Sequence, residues 1–327
     1  LRVLVIRFSS IGDIVLTTPV IRCLKNQLPV NSIVHFLTKP SFEFLLIQNP
    51  FIDKVHLLKP KLSDTIEEIK SLKFDYIIDL HANLRTFLIK IRCGIPSYTF
   101  NKLNFNKFLL TTFKINTLPQ VHIVDRYFLA VKKLNIVNDN EGLDYFYPIS
   151  SSVLSQKFPE LEVNPFVSMA IGGQHFTKRM PAAKLSEVIQ YSDYKIVLLG
   201  GKEDVEVAND LEQKCAKKLI NLVGKLNLDE SAGVVNMSKA LITHDTGMMH
   251  IAAALFKPVF AIWGNTVPQF GMQAYYGHKK VLFKNFEVLG LNCRPCSKLG
   301  FNQCPKGHFN CMNNQQTKLI SDSINAL

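Results

Sequence analysis

The sequence predicts an α/β protein of two Rossmann-like domains, each a parallel sheet covered by helices. Three observations carry that reading. Short apolar runs alternate with helical patterns along most of the chain, the alternation restarts near its middle, and a stretch rich in proline and serine separates the two series. A length of 327 residues suits two domains, and 47% hydrophobic residues suffice for two cores.

In the first series, residues 2–8 (RVLVIRF) read as a strand that enters Ser9-Ser10-Ile11-Gly12-Asp13, and an amphipathic helix is expected over 14–28. Strands follow at 32–37, 54–58 and 75–80, separated by helical patterns at 42–48, 63–72 and 83–91. Around 98–114 the pattern blurs into aromatic and basic residues, and a helix resumes at 122–134. Residues 138–165, with Pro148, Pro159, Pro165 and a run of serines, read as the connection between domains 1–150 and 151–327.

The second series has strands near 166–171, 195–199, 219–222, 240–243 and 259–263, with helices between them that include 205–217 and 229–236. A last helix from about 315 follows a cysteine-rich loop and is expected to pack back on the first domain.

Charge and composition narrow the partners. With 38 basic against 26 acidic residues the formal charge is +12, which draws the protein to something anionic: nucleic acid, a membrane surface or a phosphorylated substrate. No apolar run reaches spanning length, and the chain opens on a strand rather than on a signal-peptide pattern. Seven cysteines, odd in number and clustered late, do not make a secreted disulfide framework. The expectation is a cytoplasmic protein able to work at a membrane face.

Ligands of such sheets gather at the carboxyl ends of the strands. There the chain places Ser9 to Asp13, then Gly172-Gly173-Gln174, Gly200-Gly201-Lys202-Glu203 and Asp245-Thr246-Gly247. The stretch from Thr243 to Leu255 reads as strand, sharp turn and helix. Its first backbone N–H groups and the positive end of the helix dipole suit a phosphate, and His250 falls one turn in. An ordinary capped helix is the alternative for that stretch alone. Neither a G-x-G-x-x-G fingerprint nor a P-loop is present, against a dinucleotide dehydrogenase or a P-loop NTPase. No Asp-x-Asp pair offers a carboxylate clamp for a divalent ion, so charge on a phosphate falls to the helix end, His250 and a cation such as Lys178.

Taken together, Ser9-Ser10-Ile11-Gly12-Asp13 with Thr18-Pro19, Lys178-Arg179-Met180-Pro181, Asp245-Thr246-Gly247-Met248-Met249-His250 and Trp263-Gly264-Asn265-Thr266-Val267-Pro268 resemble glycosyltransferase family 9, the bacterial heptosyltransferases of the lipopolysaccharide inner core. The resemblance implies a GT-B fold, two Rossmann-like domains with parallel sheets facing an interdomain cleft. It also implies inverting, metal-independent transfer of a sugar from a nucleotide diphosphate donor, commonly ADP-heptose, with no cofactor. By position, Asp13 would be the general base that takes the acceptor's proton. Lys178 would bind the diphosphate, Glu203 the nucleoside, and Asp245, Thr246, Gly247 and His250 the donor phosphates and sugar. The first domain would bind the acceptor and the second the donor. Asn83 and Arg85, beyond the strand ending in Asp79 and Leu80, are expected to face an anionic lipopolysaccharide acceptor whose carboxylates or phosphates suit an arginine fork. A helix cap with a solvated arginine is the alternative there.

Cys293-x2-Cys296-x7-Cys304-x6-Cys311, with His308 inside it, has spacing that allows a structural zinc, or else packed, reduced thiols. The expectation is no metal in the site, a nucleotide-sugar donor and a lipopolysaccharide acceptor as partners, peripheral contact with the inner membrane, and no nucleic acid. A nucleic-acid-binding protein is the rival that the charge invites, but its basic residues are dispersed and carry no helix-turn-helix, zinc-finger or RNP signature. Another donor sugar or acceptor within the family is the nearer alternative.

Overall fold

The computed structural model describes residues 1–162 and 165–327 and resolves into two units, each built on a parallel sheet. The first unit comprises Leu1–Leu103, Val121–Phe146 and Tyr275–Lys279. Its elements are β1 (Arg2–Ile6), α1 (Ile11–Val15), α2 (Thr18–Gln27), β2 (Ile33–Thr38), β3 (Lys54–Leu57), α3 (Leu62–Ser71), β4 (Tyr76–Asp79), α4 (Leu84–Cys93) and β5 (Ser97–Thr99). After α5 (Asn104–Phe108), which belongs to the second unit, α6 (Ile123–Phe128) returns to the first.

The sheet order is β3-β2-β1-β4-β5, all parallel. β1 is central, and Val3, Leu4, Val5 and Ile6 are fully buried, as a strand covered on both faces requires. Strand order reverses between β1 and β4, so the loops leaving their carboxyl ends diverge and leave a crevice. The single helix expected over 14–28 is two. Pro19 has no amide to donate and its ring would collide with the carbonyl of Val15, so the chain breaks at Leu16 and Thr17 and restarts with proline in the first turn of α2. Helix α4 begins at Asn83, whose side chain accepts from the Thr86 amide (2.9 Å), and stops at Gly94, in the left-handed region at φ +67°.

The expected connection is ordered structure. Its first part belongs to the first unit, where Arg22 of α2 pairs with Asp139 (2.8 Å) and Asp144 and donates to the Gly142 carbonyl (3.0 Å). Its second part forms α7 (Ser151–Lys157) and a 3-10 turn, Pro159–Glu162. Val163 and Asn164 of that connection lie outside the described residues.

The second unit holds β6 (Phe166–Ala170), α8 (Ala182–Tyr191), β7 (Lys195–Leu199), α9 (Val205–Cys215), β8 (Leu219–Asn221), α10 (Leu228–Met237), β9 (Leu241–His244), α11 (Gly247–Ala254), β10 (Val259–Trp263), β11 (Phe283–Glu287), α12 (Asn310–Asn313) and α13 (Thr317–Asn325). Its parallel order is β11-β10-β9-β6-β7-β8, with the reversal between β6 and β9. The last helix, α13, packs on α8 of its own unit. Ile320 and Ile324 enter that unit's core, Ser321 bonds the Val188 carbonyl (3.1 Å), and Thr317 bonds Glu187 (2.6 Å).

Candidate functional site

In the first unit Asp13 and Asn83, and in the second Lys178 and Asp245, follow the strands at the sheet's reversal point, whereas Glu203 follows β7. In the first, Asp13 lies in the opening turn of α1, just past β1. Its Oδ1 is 2.7 Å from the Arg7 guanidinium, and its Oδ2 accepts from the Ser10 hydroxyl (2.8 Å) and amide (3.2 Å). Arg7 is wired into the fold: it donates to the Leu80 carbonyl (2.6 Å), the Ser9 carbonyl (2.8 Å) and the Tyr127 hydroxyl (3.2 Å). Burial works against its charge, yet Asp13, Tyr127 and Asp79 together raise its pKa above the usual arginine value. A buried, permanent cation thus faces a carboxylate and favours its ionised form.

The neighbouring loop leaves β4. Asp79, fully buried, pairs with Lys90 (2.8 Å) and accepts from the amides of His81 (3.0 Å) and Ala82 (2.7 Å), which pins Ala82 at φ +51°. His81 stacks obliquely on Phe8 at 4.9 Å, and burial, then the charges of Arg7 and Lys102, push its pKa down to about 4. It is a neutral imidazole near physiological pH. Asn83 serves as the cap of α4 and Arg85 is exposed.

In the second unit Lys178, at the end of a 3-10 turn after β6, reaches Asp245 beyond β9, with Nζ 2.6 Å from Oδ2 and 3.0 Å from the main-chain oxygen. Thr266 donates to the same Oδ2 (2.8 Å). Thr246 is the first flanking residue of α11 and Gly247 its first residue. The opening N–H groups of that helix therefore lie beside the Lys178 ammonium, a cationic corner suited to phosphate oxygens. His250 is on this helix but buried, not at its surface. His244 is buried as well. Its Nε2 accepts the Met180 amide (3.0 Å) and its Nδ1 faces the Gly172 carbonyl (3.4 Å), which assigns the proton to Nδ1. Burial holds its pKa down at about 4. This neutral ring fixes the segment that carries Lys178.

Glu203 is exposed on the turn after β7. The carboxylate that turn buries is its neighbour Asp204, which accepts from the Gly201 amide (3.0 Å) and pairs with Arg179 (3.2 Å). Burial raises its pKa. A methyl group on Gly172 would stand 2.4 Å from an Asp204 oxygen, so that glycine is required by close packing.

Sequence reasoning passed over Arg7, Arg179, Asp204 and His244. Arg7 had a readable signal, the one charge inside the apolar run 3–8 that follows Arg2, where a buried charge demands a partner. The others are recognisable only through what they touch. The late cysteines are all free thiols; burial, then the neighbouring thiols, raises Cys296 to about 11, and burial raises Cys311 to about 12 against the lowering charge of Arg294. Among the described residues no three His, Cys, Asp or Glu side chains are placed to hold a metal ion, and no helix is long and apolar enough to cross a membrane.

The model of glycosyltransferase family 9 (heptosyltransferase) matches residues 63–298, an interval that contains Asn83, Lys178, Glu203 and Asp245 through His250, while Asp13 precedes it. The chain is 25% identical over 297 residues to lipooligosaccharide heptosyltransferase 2 of Haemophilus influenzae, covering 83% of this chain and 85% of that one. The family 9 glycosyl transferase of Veillonella parvula superposes with a TM-score of 0.70 at 23% identity, over 88% of this chain and 86% of that chain. The E. coli ADP-heptose lps heptosyltransferase II gives a TM-score of 0.67 at 19% identity, over 98% and 100%. At such identities the superpositions establish the shared GT-B fold, and the family match spans most of the sequence. The chain therefore belongs to glycosyltransferase family 9, the heptosyltransferases, and is an enzyme of the glycosyltransferase class.

Proposed function

We propose that this enzyme transfers a heptose from ADP-heptose to the inner core of lipopolysaccharide, with inversion, without a metal ion, and at the cytoplasmic face of the inner membrane. The observation that carries the reading is the Lys178–Asp245 pair beside the start of α11, in a chain of this family. The names of the E. coli and H. influenzae relatives, which print ADP-heptose and lipooligosaccharide, support the donor and acceptor.

In this mechanism the acceptor oxygen bonds to the anomeric carbon as the bond from that carbon to the diphosphate oxygen breaks. The electron pair leaves with ADP, and the hydroxyl proton passes to Asp13. Lys178, the N–H groups opening α11 and Thr246 meet the charge that grows on the leaving diphosphate. Asp245 holds Lys178 in place until the phosphate competes for it. Glu203 contacts the nucleoside. Asn83 and Arg85 meet the anionic sugars of the acceptor.

Calorimetry with ADP, UDP and GDP, followed by transfer to an inner-core acceptor, tests the reading. ADP is expected to bind tightest, and ADP-heptose to be consumed only when acceptor is present. Tighter binding of UDP or GDP replaces the donor and leaves the family's other donors as the better reading.

A further inference from the structure

From Leu80 to Val124 the chain has no acidic residue and six basic ones, Arg85, Lys90, Arg92, Lys102, Lys107 and Lys114. Within that stretch, α4 turns Thr86 and Ile89 inward and leaves Leu84, Phe87 and Ile91 outside, 72%, 52% and 60% exposed. Their spacing of three and then four residues sets them in one line along the helix. Arg85 and Arg92 are exposed at either end of the line, while Lys90 is held by Asp79.

Single exposed apolar residues are ordinary, but a line of three beside two arginines on an acid-free helix has the composition of a helix that lies in a membrane interface. Charge selects among occupants. A second copy seated on this face by a two-fold axis would bring arginine ends together with no acid on the helix to offset them. An anionic bilayer offers a phosphate to Arg92, an apolar layer to the three side chains, and an anionic acceptor beside Arg85.

We propose that α4 is the membrane-docking face of this enzyme, with Leu84, Phe87 and Ile91 in the interfacial layer of an anionic bilayer, Arg92 at a headgroup phosphate and Arg85 turned to the acceptor sugars. The proposal rests on the reading of the acceptor as a lipid-linked saccharide, and it deepens that reading. Asn83 caps this same helix, so the acceptor-side residues stand within one helix length, about 15 Å for ten residues, of the docked stripe. Docking would then present the sugars nearest the bilayer to the crevice between β1 and β4.

The test uses the full chain and phosphatidylcholine vesicles with or without phosphatidylglycerol. The parent is expected to sediment with the anionic vesicles and to leave them as salt rises. The triple variant Leu84→Ser, Phe87→Ser, Ile91→Ser, with unchanged circular dichroism, should partition about tenfold less or weaker still. Arg92→Gln alone should reduce the salt dependence. Turnover on an acyl-free soluble acceptor should be the same in parent and triple variant, whereas turnover on vesicle-embedded acceptor should fall in the variant. A parent indifferent to anionic vesicles, or a triple variant that binds them as the parent does, overturns the proposal. So does a parent dimer that the triple substitution converts to monomer, which makes the stripe an interface between copies. Vesicle binding is read without any sugar. Vesicle binding by a chain that transfers nothing would therefore defeat the function reading and not this one.

Discussion

The two reversal points carry ion pairs of opposite sense. At the first, the cation is the inner member: the Arg7 side chain is 9% exposed and Asp13 22%. At the second, the acid is the inner member: Asp245 is 12% exposed and Lys178 17%. One topology therefore offers a carboxylate backed by a buried guanidinium in one unit, and an ammonium backed by a part-buried carboxylate in the other. The first arrangement suits removal of a proton, the second attraction of a phosphate. Burial also sets the cost of breaking each pair, because a charge left alone in the interior is more costly than one left near solvent.

Asp13→Asn should give the largest effect. As a base, Asp13 cannot be replaced by an amide, and transfer measured with donor and acceptor saturating should fall about a hundredfold or more. ADP binding should be kept. The structure adds a stability term: Asn can still accept from Ser10, yet it leaves Arg7 without its counter-charge, at a cost of up to about 3 kcal/mol in denaturant unfolding. Near-parental turnover with chemistry rate-limiting would remove the base and leave a structural ion pair.

Arg7→Met tests the same pair from its buried side. Asp13 retains Ser10 and some solvent, so the stability loss should be smaller than for Asp13→Asn. The sign of the pH effect follows from the charge removed: without the guanidinium a proton binds Asp13 more readily, so the acid limb of the kcat profile should move to higher pH. An unmoved limb would mean that Arg7 only packs.

Lys178→Ala should act on affinity and also cost some stability, because it leaves part-buried Asp245 with the Thr266 hydroxyl but without its counter-charge. Loss of one charge-assisted contact to the diphosphate should cost about 1.5–3 kcal/mol of ADP binding by calorimetry. Parental affinity would move the phosphate elsewhere.

The most gradual effect is a pH slope. The folded-state pKa of His244, about 4, lies below its ordinary 6.5, so the unfolded chain binds the extra proton between those values. The stability that neutral His244 contributes is complete above about pH 6.5 and is lost as pH falls towards 4, by up to about 1.4 kcal/mol per pH unit. His244→Gln, whose oxygen can accept the Met180 amide, should flatten part of that slope in melting experiments from pH 7 to 4.5 (about the window between the two pKa values). His81, with a similar pKa, bounds how flat it becomes.

The central strands were legible because strands covered on both faces must be almost wholly apolar, as β1, β6, β9 and β10 are. The edge strands β5 and β11 were missed for the converse reason: they are half-exposed and carry Ser97, Lys284 and Glu287 among their few residues. The helix expected over 14–28 ran through its own stop signal, Pro19. Residues 104–120 join the second unit although they precede the end of the first, which local pattern does not encode.

By itself the sequence determined the α/β class, two parallel sheets, and the strand ends at which Asp13, Lys178 and Asp245 stand, because burial periodicity and turn chemistry act over a few residues. The tertiary structure decided what those side chains face: Arg7 behind Asp13, Asp245 behind Lys178, Asp204 rather than Glu203 turned inward, and α13 on α8. Such partners lie up to 133 residues apart, as Ser321 does from Val188. Charge pairing and close packing are set by distance in space, and only the closed fold makes those distances short.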